Sequence, residues 1–199
     1  MLGKTHMMVG MATALALTAP DSAGGLIAAI VGGAVGSSIS DVDVSVSKRG
    51  KDALYTRLIA TGLVPIALLI DFIFKGGIVR YMIECPTAYK IIGVLLFVAL
   101  CVIGKTHGHR GFTHSLLGFV LFCVSVSLFC KPVLVPFAIG FATHLILDVF
   151  NKKPIKLFWP VKKGLCFNLC CADKMVDKLL LLVGSVATVV FLVISLLAM

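Results

Sequence analysis

Apolar runs separated by short polar breaks organise this chain from end to end. Seven can be read: Met7 to Ala19, Gly24 to Ile39, Leu58 to Phe74, Ile91 to Ile103, Leu116 to Cys130, Val133 to Phe150 and Leu179 to Ala198. Only the last has the ~20 residues that a helix needs to cross a bilayer unaided. The others run to roughly 13–18 residues, so the pattern predicts tilted, re-entrant or bundled helices and five to seven crossings. The expected fold is an all-α membrane protein, a compact bundle of about five to seven short transmembrane or re-entrant helices. One domain over residues 1–199 is expected, because no Ser-rich, Pro-rich or acidic linker divides the chain. The first run follows Lys4 and is rich in alanine, as signal peptides are. It also carries His6 and flows into a second apolar run, so it is expected to be retained.

Composition agrees with this pattern. Hydrophobic residues make up 59% of the chain and charged residues 14%, and the mean hydropathy is +1.09, too high for a soluble domain. The net charge is +9. If the N-terminus is cytoplasmic and all seven runs cross, only Lys75, Arg80, Lys90 and Lys131 fall outside. That leaves fourteen of the 18 basic residues inside, as the positive-inside rule describes for short loops. Basic juxtamembrane loops suit anionic lipid heads, and no nucleic-acid-binding motif is present, so the expected partner is the lipid bilayer and not a nucleic acid.

The punctuation is informative as well. Glycines 24, 25, 32, 33 and 36 suit close helix packing, Lys131-Pro132 reads as a tight turn, and Trp159 reads as an interfacial anchor in the longest polar segment, Asn151 to Lys178. Three of the seven cysteines, Cys101, Cys123 and Cys130, lie within apolar runs, and no disulfide framework is inferred. Cys166, Cys170 and Cys171 sit in the basic loop at a spacing unlike structural zinc sites, and their role is left open.

The candidate chemistry lies at the ends of the runs. All five histidines, His6, His107, His109, His114 and His144, and three carboxylates, Asp41, Asp43 and Asp148, lie within or beside apolar segments, where ionisable groups are costly and usually functional. In the topology above all eight reach the cytoplasmic side, although they were not used to choose it. His144 and Asp148, four apart on one helix, share a face and can hold one ion, or the Asp can orient the imidazole. Asp41 and Asp43, two apart, reach a common cation only if the backbone there is extended or turning. Taken alone, that pair could equally cap a helix.

His109-Arg110-Gly111-Phe112-Thr113-His114-Ser115 sets two imidazoles five apart just before a helix. Arg110 is suited to clamp a phosphate or carboxylate, and His107, outside the tighter pair, is expected not to be a ligand. Imidazoles with carboxylates and no adjacent thiolate suit Zn, Mn or Fe over Ca, with zinc first.

These motifs resemble the YdjM-type family of bacterial inner-membrane proteins, described as LexA-binding metal-dependent hydrolases. The resemblance covers most of the chain and rests on Thr5-His6 with Gly10, Asp41-Val42-Asp43, the His109 to Ser115 block and His144-x-x-x-Asp148. Ser40 and Val44 depart from the proline and histidine common in the family around the paired aspartates. The family is similar in turn to the zinc-dependent phospholipase C and P1 nuclease group, which implies phosphoester chemistry by analogy.

The resulting expectation is a multi-pass protein of the inner (plasma) membrane with a metal site on its cytoplasmic side. The chain is expected to be a metal-dependent hydrolase in which His6, Asp41, Asp43, His109, His114, His144 and Asp148 hold one or two divalent ions. Asp43 acts as the catalytic carboxylate, Arg110 as the charge-neutralising group, and the substrate is an amphipathic or lipid-like ester or phosphoester. Two alternatives stand beside it: a metal or proton transporter, and a catalytically silent scaffold with a closed metal site.

Overall fold

Each of the seven apolar runs forms a helix. A computed structural model describes residues 1–43, 51–106 and 110–199, and eight α-helices lie among them. They are α1 (Gly3–Thr18), α2 (Ala23–Ile39), α3 (Lys51–Ile73), α4 (Gly77–Glu84), α5 (Thr87–Thr106), α6 (Leu116–Phe129), α7 (Leu134–Val149) and α8 (Met175–Leu197). Three 3-10 turns, Ser40–Asp43, Phe112–His114 and Lys131–Val133, join or precede them. The spans Ala23–Asp43, Lys51–Ile73, Thr87–Thr106, Lys131–Val149 and Met175–Leu197 are long and apolar enough to cross a membrane. The remaining apolar helices are shorter, with 16 residues in α1 and 14 in α6.

Successive crossings alternate in direction. At one end, Gly3 of α1 lies against Ala53 and Thr56 at the start of α3, and Gly104 at the end of α5 lies against Thr113 and Val42. The Leu2 N–H donates to Asp177 at the start of α8 (3.3 Å). At the opposite end, Gly24 of α2 lies beside Gly77 of α4 and Asp71 of α3. The starts of α1, α3, α6 and α8 therefore share one face of the bundle with the ends of α2, α5 and α7.

The interior is built from α1, α2 and α7. Of the α2 and α7 spans 61% and 44% are buried in protein, against 17% for α3 and for α5 and 11% for α8. Those three outer helices present Leu69, Phe72, Leu95, Val98, Leu182 and Val186 outward, as lipid-facing helices do. Lipid tails are as apolar as these side chains, so association inside the bundle rests on close packing. A Cβ at Gly140 of α7 would stand 2.5 Å from the Gly33 carbonyl oxygen of α2, and one at Gly10 of α1 would stand 2.5 Å from Ser37 Cβ. These glycines let three backbones converge. Phe122, Phe137 and Phe141 fill the adjoining core.

The sequence pattern did not predict α4. Its eight residues are too few to register as an apolar run, and it is amphipathic, with Ile78 buried and Arg80 paired with Glu84 on the outside (2.9 Å). Asp71 fixes its start by accepting the Val79 N–H at 2.8 Å.

Candidate metal centre

The helix ends on one face bring five ligand-type side chains together. His6 comes from the second turn of α1, Asp41 from the 3-10 turn after α2, His114 from the turn before α6, and His144 and Asp148 from successive turns of α7. His114 and His144 are fully buried, and His6 and Asp148 are 2% exposed. Two overlapping triads, His6–His144–Asp148 and Asp41–His114–His144, each place one donor atom per residue within 4.8 Å of the others.

The local sequence explains how each side chain is held. Ser115 caps α6 by accepting the Gly118 N–H (3.0 Å) and donates to the Phe112 carbonyl (2.6 Å), which closes the 3-10 turn that aims His114 inward. Gly104 of α5 permits that turn to approach, since a Cβ there would stand 2.5 Å from Thr113 Cγ2. Arg110 adopts a left-handed backbone (φ 66), and its N–H donates to Asp43 Oδ2 at 3.1 Å.

Hydrogen bonds fix which ring nitrogens face the centre. His144 Nδ1 lies 2.6 Å from the Ser37 carbonyl oxygen, which can only accept, so Nδ1 carries the proton and Nε2 is bare. His114 Nδ1 faces Asp43 Oδ2 (3.4 Å) and the Thr113 hydroxyl (3.2 Å), and that hydroxyl donates to the same carboxylate (2.7 Å). A neutral His114 therefore also turns a bare Nε2 inward. The two Nε2 atoms stand 3.3 Å apart. Asp148 Oδ2 is 3.4 Å from His114 Nε2, and Asp41 Oδ1 is 3.6 Å from it. Lone pairs converging in this way from nitrogens and carboxylates repel one another unless a positive charge lies between them.

Metal-free, a proton on His114 meets part of that need. Burial pushes the imidazolium toward neutrality, but its hydrogen bonds to Asp41 and Asp43, with the charges of Asp43 and Asp148, outweigh this and raise its pKa from 6.5 to about 10. A divalent ion would replace the proton. His6 stacks on His144 with ring centroids 4.0 Å apart, and its Nε2 lies 3.4 Å from Asp148 Oδ1. Its buried Nδ1 has no hydrogen-bond partner among the described residues. The donor set, three imidazoles and two carboxylates without a thiolate, fits a borderline divalent ion.

The two remaining aspartate and arginine candidates stand beside the triads, Asp43 with its side chain fully buried and Arg110 12% exposed. A 3-10 turn sends residues two apart in different directions, so Asp41 faces the Nε2 side of His114 while Asp43 faces its Nδ1 side. Asp43 joins neither triad. Arg110 Nη2 lies 3.2 Å from Asp148 Oδ2, and its Nη1 donates to the Lys153 carbonyl. His109, together with His107 and Val44, lies outside the described residues. Cys166, Cys170 and Cys171 are free thiols and belong to neither triad.

Sequence reading missed two contributors, the Ser37 carbonyl and the Thr113 hydroxyl. A backbone carbonyl leaves no mark in a sequence. Thr113 did carry a signal, as a hydroxyl inside an otherwise apolar and histidine-bearing turn.

Among proteins already described, the family described as YdjM inner membrane protein matches residues 1–199. The Bacillus subtilis (strain 168) protein described as "Uncharacterized protein YvsG" is 38% identical over 78 residues, which are 38% of this chain and 48% of that protein. The match thus spans about half of that relative's length. No solved structure matches.

Proposed function

This chain belongs to the YdjM inner membrane protein family, and on that premise we propose that it is a membrane-embedded metal-dependent hydrolase acting on an amphipathic ester or phosphoester. The observation that carries the reading is the approach of His114 Nε2 to His144 Nε2 at 3.3 Å, with the carboxylates of Asp41 and Asp148 closing on the same point.

In this reading His6, Asp41, His114, His144 and Asp148 hold one or two divalent ions, zinc first and manganese or iron as alternatives, and His109 is a further ligand candidate from its motif. A bound ion of this kind polarises the substrate oxygen and lowers the pKa of a water toward neutrality. The Ser37 carbonyl and the Asp43–Thr113 pair hold the two imidazoles in the required tautomers. Asp43, outside both triads, is bonded to the Thr113 hydroxyl and the Arg110 N–H and faces His114 Nδ1, so it orients that imidazole; the role of proton acceptor for the attacking water, which its motif suggests, is what Asp43→Asn tests. Arg110 brings a fixed cation beside the triads, where negative charge develops on an acyl or phosphoryl oxygen. The excess of lysines and arginines at this end of the helices supports a cytoplasmic site, and substrate would then enter from the inner leaflet.

The test is hydrolysis of a phospholipid and of a soluble phosphodiester by the full chain in nanodiscs, before and after chelation and with Asp43→Asn. Turnover that needs metal, and that falls in the variant even at saturating metal, is expected. Metal-loaded protein that turns over neither substrate class would sink the enzyme reading. It would favour a scaffold instead, a reading supported by the burial of four of the five donors, all but Asp41, since closed sites stabilise and catalytic ones keep a position open. Transport has less support. Asp71, the buried carboxylate at the opposite end, is engaged in starting α4.

A further inference from the structure

The loop between α7 and α8 packs on the same face as the His–Asp cluster, and it is ordered and apolar on its outside in a way the cluster does not require. Two isolated bridges, Asn151 with Cys170 and Ile155 with Leu165, fold it back on itself. Ile155 is fully buried beneath it. Two hydrogen bonds set its depth. The Leu116 N–H at the start of α6 donates to the Leu157 carbonyl (2.9 Å), and the Phe167 N–H donates to the Val149 carbonyl at the end of α7 (2.7 Å). Leu157 and Phe167 are therefore held at the ends of α6 and α7, the level at which crossing helices leave a bilayer.

At that depth the loop leaves Phe158 61%, Phe167 56% and Leu169 68% exposed, although its backbone is tied down. Lys156, Lys162 and Lys163 are exposed beside them. Exposed aromatic and aliphatic side chains interleaved with lysines, on a hydrogen-bonded segment at the helix ends, match a leaflet rich in acidic headgroups.

We propose that residues 156–169 form a binding surface for anionic phospholipid of the surrounding leaflet. Phe158, Phe167 and Leu169 enter the acyl boundary and Lys156, Lys162 and Lys163 engage the phosphates. The occupant is argued from charge complementarity and from depth, and the inference does not rest on the hydrolase reading. Its consequence for that reading is that acidic lipids would be concentrated beside Arg110, whose carbonyl accepts the Lys156 N–H (3.2 Å).

Trp159 is the chain's only tryptophan, and it lies within this surface, so its fluorescence reports on the loop without labelling. The full chain is placed in phosphatidylcholine nanodiscs containing equal small fractions of either brominated phosphatidylglycerol or brominated phosphatidylcholine. Wild type should be quenched more by the brominated phosphatidylglycerol. Lys162→Gln/Lys163→Gln should weaken the preference by up to about twenty-fivefold in effective lipid affinity at low salt, from a factor of about five per lysine near a charged surface, and salt should weaken it in wild type. Phe158→Ser should reduce quenching by both lipids while the helical circular dichroism stays unchanged. Equal quenching of wild type by the two lipids, a preference that survives the double substitution, or no quenching by either would overturn the proposal.

Discussion

Gly140→Ala is the sharpest perturbation of the centre that leaves every ligand in place. A Cβ at this position would stand 2.5 Å from the Gly33 carbonyl oxygen, about 0.9 Å short of the 3.4 Å at which ordinary contact begins. The obstacle is backbone, so α7 must move away from α2. Helix α7 carries His144 and α2 carries the Ser37 carbonyl that fixes its tautomer, at 2.6 Å. A 0.9 Å separation stretches that bond to about 3.5 Å, the limit of hydrogen bonding. Overpacking of this kind costs about 1–3 kcal/mol of stability, and loss of a partner that orients a ligand lowers metal affinity about 10–100-fold. Zinc competition against a chelator of known affinity, on folded protein, measures the second effect. Gly62→Ala is the control, since nothing lies within 4 Å of a Cβ there. Undiminished zinc affinity in a folded Gly140→Ala protein, or an equal loss in Gly62→Ala, would refute the coupling between helix packing and ligand geometry.

Three further outcomes follow from the same structure. Asp43→Asn should lower zinc affinity about 10–100-fold while keeping the wild-type stoichiometry, because Asp43 holds His114 by its Nδ1 side; loss of a bound ion would make Asp43 a ligand instead. Zinc binding at pH 7 should release close to one proton, and affinity should fall about tenfold per pH unit below the His114 pKa of about 10. The sign follows from that raised pKa. In the metal-free fold the His114 proton is stabilising, fully so below its ordinary 6.5 and lost as pH rises through about 10, so acid favours the proton over the metal. Calorimetry in buffers of different ionisation enthalpy counts the proton, and pH-independent affinity would contradict the assignment. Asp71→Ala should cost about 0.5–2 kcal/mol of thermal stability through the start of α4 with unchanged metal content; lost metal would mean the two faces are coupled.

Most of the helical framework was legible because apolar runs in a bilayer have little choice but to form helices. The boundaries were less so. Hydropathy begins the third helix at Leu58, but the structure begins it at Lys51, since Lys51, Asp52 and Arg57 extend a helix beyond its apolar part. Likewise α8 starts at Met175, four residues before its run. In the site, the four-residue spacing of His144 and Asp148 was enough to place both on one face. The spacing of Asp41 and Asp43 was not enough, because only the 3-10 turn decides that they reach opposite edges of His114. The convergence of α1, α2 and α7 depends on glycine contacts such as Gly33 with Gly140, which the sequence shows as small residues but cannot pair. Trp159, read from the sequence as an interfacial anchor, meets Phe112 edge-on at 5.4 Å, which joins the basic loop to the turn that carries His114.

X-ray absorption at the zinc edge of the purified, zinc-loaded full chain tests the central claim most directly. The account predicts only nitrogen and oxygen scatterers at about 2.0–2.2 Å, with the multiple scattering of at least two imidazoles, and loss of that signal in His144→Ala. Protein that retains no zinc, or a sulfur shell at about 2.3 Å from Cys166, Cys170 or Cys171, would contradict it.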